Sequence, residues 1–213
     1  EESNRERELM KRKRKMLAGG IVILMAAVFV FALFIYLNRG NGTTPPESTQ
    51  VSEVDKVLLR DLERSYPPTP KEVLKYYSDI TVCFYSEGLE EEQLKKLAIK
   101  ARELYDDELR ADKTEEEYTE DLRKDILEFN AMGIVVSGYS LSASTDVEFF
   151  SQDGFEFARL YANYRLRQGS EYIYTTEVFI LRKDAEDGHW KIYGWDVVEP
   201  EEEVTTEQPV SDD

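Results

Sequence analysis

The chain has 213 residues, with 27 basic and 44 acidic side chains, one cysteine and one histidine, for a formal net charge of −17. That acid excess repels polyanions and excludes a nucleic-acid-binding role for the body of the protein. A lone cysteine excludes an internal disulfide, and one cysteine with one histidine does not build a typical zinc site, so no metal or cofactor is expected.

The charge is unevenly spread. Residues 1–15 carry seven bases against four acids, with Lys11 to Lys15 unbroken, whereas residues 41–213 hold 19 bases and 40 acids. Between them Met16 to Leu37 is a run of 22 residues without charge or proline. As a helix that run is roughly 33 Å long, near the roughly 30 Å of a bilayer core. The sequence therefore predicts an uncleaved transmembrane helix over 16–37, because the run is longer than a signal-peptide core and ends in Phe34, Ile35, Tyr36 and Leu37. The basic flank places the N-terminus in the cytoplasm and the rest outside, a single-pass plasma-membrane protein. Residues 38–53 read as a flexible polar linker, 54–199 as one extracytoplasmic α+β domain, and 200–213 as an acidic disordered tail.

Within the domain, Val54, Val57, Leu58, Leu62 and Tyr66 suggest a short amphipathic helix closed by Pro67 and Pro68. Thr69, Pro70 and Glu72 form a helix start, and Val73, Tyr76, Tyr77, Ile80, Cys83 and Phe84 form its apolar stripe. A second long helix is marked by Leu94, Leu97, Ala98, Ala101 and Leu104 behind three acids at 90–92. Thr114 and Glu117 make a further capping box, followed by Tyr118, Leu122, Ile126 and Phe129 on a third helix ending near Gly133.

After Gly133 the hydrophobic period shortens to two. Ile134 to Phe150 reads as one strand bent around Ser142–Asp146, and Asp153-Gly154 as a hairpin turn. Phe155–Arg167, Tyr172–Lys183 and His189–Val198 complete an antiparallel meander of about four long strands. Helices are expected to cover one face of this sheet.

Helices followed by a bent meander resemble the cone-shaped fold of nuclear transport factor 2 and ketosteroid isomerase. Closer phrases are Ser65-Tyr66-Pro67-Pro68-Thr69-Pro70-Lys71-Glu72-Val73, Cys83-Phe84-Tyr85, the run 101–109, and Ile180-Leu181-Arg182-Lys183-Asp184 with Trp190-Lys191-Ile192-Tyr193-Gly194-Trp195. In these the chain resembles a family of single-pass membrane proteins of clostridial (Lachnospiraceae-like) bacteria that carry an exported domain of unknown function. The resemblance implies location and fold; it implies no active residue.

Few residues point to chemistry. His189 follows a turn and is expected at a rim; Cys83 falls on an apolar stripe and reads as core filler. The acid runs Asp106, Asp107, Glu108 and Glu115, Glu116, Glu117 lack the spacing of a calcium loop and are expected to face solvent. A cone of this kind opens a pocket between helices and sheet, for which the chain offers Tyr76, Tyr77, Asp79, Tyr105, Trp195 and Asp196 as a possible ligand cleft. The leading functional reading is non-catalytic: an anchored domain, not an enzyme, that binds an envelope protein or wall component. An isomerase- or dehydratase-type enzyme in the cone pocket is the alternative, to be separated by a cavity of roughly a few hundred Å³ in which a desolvated Asp79 or Asp196 faces a tyrosine hydroxyl. The ectodomain of a sensor or of a secretion-channel assembly is the third.

Overall fold

Capping chemistry sets where the helices begin, and the computed structural model describes residues 51–198. Helix α1 (Val51–Leu58) ends early because the Asp61 carboxylate accepts from the Glu63 and Arg64 amides at 3.0 and 3.2 Å, turning the backbone aside. The amphipathic pattern running on to Tyr66 is therefore helical only in its first part. In α2 (Pro70–Phe84) Thr69 Oγ1 accepts from the Glu72 amide at 3.2 Å and Pro70 fills the first turn, where its missing N–H costs nothing. Gln93 reaches back to the Glu90 amide at the start of α3 (Glu91–Glu103), and Asp106 caps the short α4 (Asp107–Ala111). Helix α5 (Glu115–Ala131) opens on a full capping box, Thr114 and Glu117 each accepting from the other's amide.

The sheet follows as β1 (Ile134–Leu141), β2 (Glu148–Gln152), β3 (Phe155–Gln168), β4 (Glu171–Lys183) and β5 (Trp190–Val197), all pairings antiparallel. Its order is β1-β3-β4-β5, and β2 lies on the same edge of β3 as β1, so the 14 residues of β3 hold two strands end to end. Asp153 and Gly154 both take positive φ (50° and 85°), the geometry a two-residue hairpin needs and one that asparagine, aspartate and glycine tolerate best. The free edge of β5 is partly covered by the residues after α3. Ile192 donates to the Leu104 carbonyl and Asp106 donates to the Ile192 carbonyl, both at 2.8 Å.

Alternation along the strands builds the core. Ala158, Leu160, Ala162, Tyr164 and Leu166 of β3 are buried with Phe179 and Leu181 of β4 and Ile192 of β5, against Val73, Leu74 and Ile80 of α2 and Leu97 of α3. Burial of each leucine, isoleucine, valine or phenylalanine in this set contributes about 1.5–3 kcal/mol. Part of the outer face is covered by its own aromatics: Phe157 stacks on Phe150 at 5.3 Å and meets Tyr193 at 5.6 Å, with the Arg182 guanidinium 4.8 Å from the rings of Phe155 and Tyr193.

The expected architecture, one transmembrane helix followed by a cone of three helices and four strands, is corrected. Among the described residues no helix is long and apolar enough to cross a membrane. The longest, α5, is 17 residues of amphipathic and heavily charged sequence that buries a single stripe. The segment 16–37, on which that expectation rested, lies outside the described residues, as do the tail 1–15 and residues 200–213. Among the described residues five α-helices precede the sheet: the three long ones, the short α1, and the short α4, which forms where only a solvated acid run was expected. The sheet has five strands, because a one-turn 3₁₀ helix at Ser144–Asp146 splits 134–150 into β1 and β2.

Candidate functional site: an aromatic pocket with a buried carboxylate

Between α2, α5 and the inner face of the sheet lies a cavity of about 100 Å³. Helix α2 supplies Tyr77, Thr81 and Phe84, α5 supplies Tyr118, Leu122, Asp125 and Phe129, and Tyr85 closes the end of α2. The floor is β-sheet: Val136, Tyr164, Leu166, Thr175, Glu177 and Trp195. Tyr105 is brought in by the backbone bonds that tie Leu104 and Asp106 to β5. Solvent reaches the cavity beside Lys113 and Asp121, which pair at 2.7 Å and have side chains 44% and 46% exposed.

One wall is a trio of rings. Tyr77, Tyr105 and Trp195 have centroids 5.7–5.9 Å apart, and Trp195 stacks on Phe179 behind them at 5.8 Å. Their hydroxyls are committed to one another: Tyr77 to Tyr105 at 3.2 Å and Tyr105 to Tyr118 at 3.1 Å. Burial raises the pKa of Tyr77, Tyr85 and Tyr105 well above the usual phenol value and that of Tyr118 to about 12. All four therefore stay neutral at physiological pH.

Glu177 is the unusual member. Its place on β4, in step with Thr175, Phe179 and Leu181, turns it to the inner face opposite the small Ala162. It is 8% exposed, and among the described residues no side chain or amide donates to its carboxyl group, whose oxygens open on the cavity; the buried side-chain atom left without any partner is instead Gln168 Oε1. Desolvation by burial, aided by the negative charge of Asp196, raises its pKa from 4.5 to about 8. On the opposite wall Asp125 is raised from 3.8 to about 6, by burial first and then by Glu128 and Asp121. A carboxyl largely stripped of water and without a protein donor is costly to ionise, and carboxyls with pKa values perturbed in this way concentrate where a ligand or a proton is handled.

Of the residues considered for a cleft, Tyr77, Tyr105 and Trp195 meet at this cavity. Tyr76 points away, donating to the Val57 carbonyl at 2.7 Å with Arg60 over its ring. Asp79 lies outside it, accepting from the Tyr139 hydroxyl at 2.5 Å and from Lys75 at 3.2 Å. Asp196 follows Trp195 and so faces the other side of β5, where it accepts from the Val197 amide at 2.8 Å. Glu177 and Asp125 were not among the candidates. The signal for Glu177 was its parity with Phe179 and Leu181; for Asp125, its place one residue before Ile126 and three after Leu122.

The acid run at 106–108 is corrected in part. Asp106 is buried, because its carboxylate takes a two-bond fork from Arg182 at 2.6 and 2.8 Å, and Glu108 accepts from the same guanidinium at 2.9 Å. Cys83 is buried, and desolvation pushes its thiol up to about 12. His189 sits at the rim with its Nδ1 2.8 Å from Asp187 and its ring stacked on Tyr66 at 4.1 Å. Among the described residues no cluster of three or more His, Cys, Asp and Glu is disposed to hold a metal ion.

Fold and site define an α+β domain in which helices cap one face of an antiparallel sheet over an aromatic, acid-bearing pocket. The sequence profile of the domain of unknown function DUF6715 matches residues 10–195, and the chain belongs to that family. We found no match among curated proteins and none among solved structures.

Proposed function

We propose that this chain is a non-catalytic binding module that takes a ligand group into the pocket between α2, α5 and the sheet. The observation that carries the reading is Glu177: a largely buried carboxyl that no protein group hydrogen-bonds, open to an aromatic cavity that solvent reaches. An isolated domain gains nothing from leaving such a group unpaired, whereas a ligand that completes it recovers the cost of burying it. A volume of about 100 Å³ holds several waters or a small organic group, so the pocket receives a small molecule or the tip of a larger one. The proposal places the domain outside the cytoplasm at the plasma membrane of a bacterial cell. Support for that location is the sequence alone, the bases at 11–15 followed by the uncharged 16–37.

The test is a thermal-unfolding screen of the full chain against small polar compounds, beside a Thr175→Leu variant that narrows the cavity. A ligand at 100 times its Kd stabilises by about 2.7 kcal/mol, and that gain should vanish in the variant. Compounds that stabilise both proteins equally, or none that stabilise the wild type, would refute the reading.

A second reading has one observation in its favour. Two acids with pKa values of about 8 and about 6 face a common cavity, which suits proton transfer in an isomerase or dehydratase. It predicts turnover of a bound compound that Glu177→Gln abolishes while binding persists.

A further inference from the structure

We propose that the pocket is a site for a small organic cation, a primary or methylated ammonium group, held between the Glu177 carboxylate and the ring faces of Tyr77, Tyr105 and Trp195. This rests on the binding reading above and names the chemistry of the ligand.

Glu177 and Asp125 both line the cavity, and neither has an ion-pair partner among the described residues. The one lysine at the cavity, Lys113, is engaged with Asp121. An anion entering would meet uncompensated acids. A neutral polar group would satisfy hydrogen-bonding capacity but leave Asp125, ionised at neutral pH, without a counter-charge. The hydroxyls of Tyr77, Tyr105 and Tyr118 bond each other, so the phenols offer ring surface more than donors. Ring surface beside a carboxylate is what recognises alkylammonium groups: the rings attract the cation through their quadrupoles and shed water from its alkyl parts.

Binding also moves a proton. The titratable groups lining the cavity with Glu177 are Tyr77 of α2, Tyr85 and Tyr105, Lys113, then Tyr118, Asp121 and Asp125 of α5, and Tyr164 of β3, with Asp196 acting through its charge. With the phenols neutral and Lys113 paired, nothing within the described residues favours the ionised form, so the empty site keeps its carboxyl proton near neutral pH. An arriving ammonium ion favours the carboxylate, and the displaced Oε proton passes to solvent. Cation uptake and proton release are thus linked one for one.

The experiment is isothermal titration of the full chain with ethylammonium and tetramethylammonium, with 1-propanol, tert-butanol, propionate and potassium ion as comparison probes. Titrations in phosphate and in HEPES at pH 6.5–7.5 report the protons released. The ammonium probes should bind one per chain, release close to one proton, and gain about tenfold in affinity per pH unit until the pH passes about 8. Glu177→Gln, isosteric with the protonated acid, should bind them at least ten times more weakly with no proton release. Ammonium affinity that does not change with pH in the wild type refutes the proposal without recourse to any variant. If the alcohols or propionate bind as tightly as the ammonium probes, the cation assignment fails while the pocket reading stands. Potassium binding equally well refutes the organic character of the ligand. If no probe binds, the cation assignment falls; the compound screen with Thr175→Leu then decides the pocket reading separately.

Discussion

Glu177→Gln should make the protein more stable, and the gain should depend on pH in one direction. In the folded chain the Glu177 carboxyl titrates near 8, raised mainly by burial and also by Asp196, whereas its unfolded value is close to 4.5. Between those values the folded state holds a proton that the unfolded state has released, so stability falls as pH rises through the window. Below 4.5 both states are protonated and the group contributes no penalty; above about 8 both are ionised and the penalty is complete. At 1.36 kcal/mol per pH unit the full difference is about 5 kcal/mol, a large part of the 5–15 kcal/mol that holds a typical domain. Glutamine keeps the shape and cannot ionise. The variant should match the wild type near pH 4.5 and exceed it by about 3–5 kcal/mol at pH 8.5. Urea unfolding of both proteins across that range measures the difference, and the titrating groups not coupled to Glu177 cancel in the subtraction. A gap that stays below about 1 kcal/mol at pH 8.5 would mean that water hydrates the carboxylate, and the argument for an unpaired buried acid would be lost.

Two further substitutions probe what holds the pocket in place. Arg182 is 13% exposed and Asp106 6%, so Arg182→Ala strands a buried carboxylate and should cost about 3–5 kcal/mol in urea unfolding, with Arg182→Lys recovering only part because it cannot form the fork. Since Asp106 also anchors the turn that carries Tyr105 to β5, Arg182→Ala should weaken ligand binding at the pocket as well. Thr114→Ala removes the hydroxyl that accepts from the Glu117 amide and should lower stability by about 1 kcal/mol, read as a drop in Tm with an unchanged denaturant slope.

Local signals carried much of the fold. The Thr69-Pro70 start of α2, the Thr114–Glu117 box of α5 and the Asp153-Gly154 hairpin are all short-range chemistry, in which a side chain bonds an amide two or three residues away or a turn demands positive φ. The inward set Ala158, Leu160, Ala162, Tyr164 and Leu166 was legible for the same reason, since alternation is a property of the strand itself. The 3₁₀ turn that divides β1 from β2 was less so. A bend was written in Ser142–Asp146, but whether two segments share one strand or lie end to end along β3 is decided by pairing with β3.

The pocket divides in the same way. Tyrosines and Trp195 were visible as candidates because aromatic side chains on helix and strand faces declare themselves; which of them converge was not. Tyr76 and Tyr77 are adjacent in sequence, yet a rotation of about 100° per helical residue sends one toward α1 and the other into the cavity. The charge state of Glu177 lies further still from sequence, because a carboxyl's pKa reports the water it has lost, and that loss is imposed by α2, α5 and three strands at once. Composition and periodicity by themselves determined the element types, the acidic character of the domain and the inward strand faces, all consequences of nearest-neighbour geometry. Only the tertiary structure decided that Asp106 is buried against Arg182, and that a glutamate stands unpaired among tyrosines, because solvation and charge pairing depend on what the rest of the chain brings near.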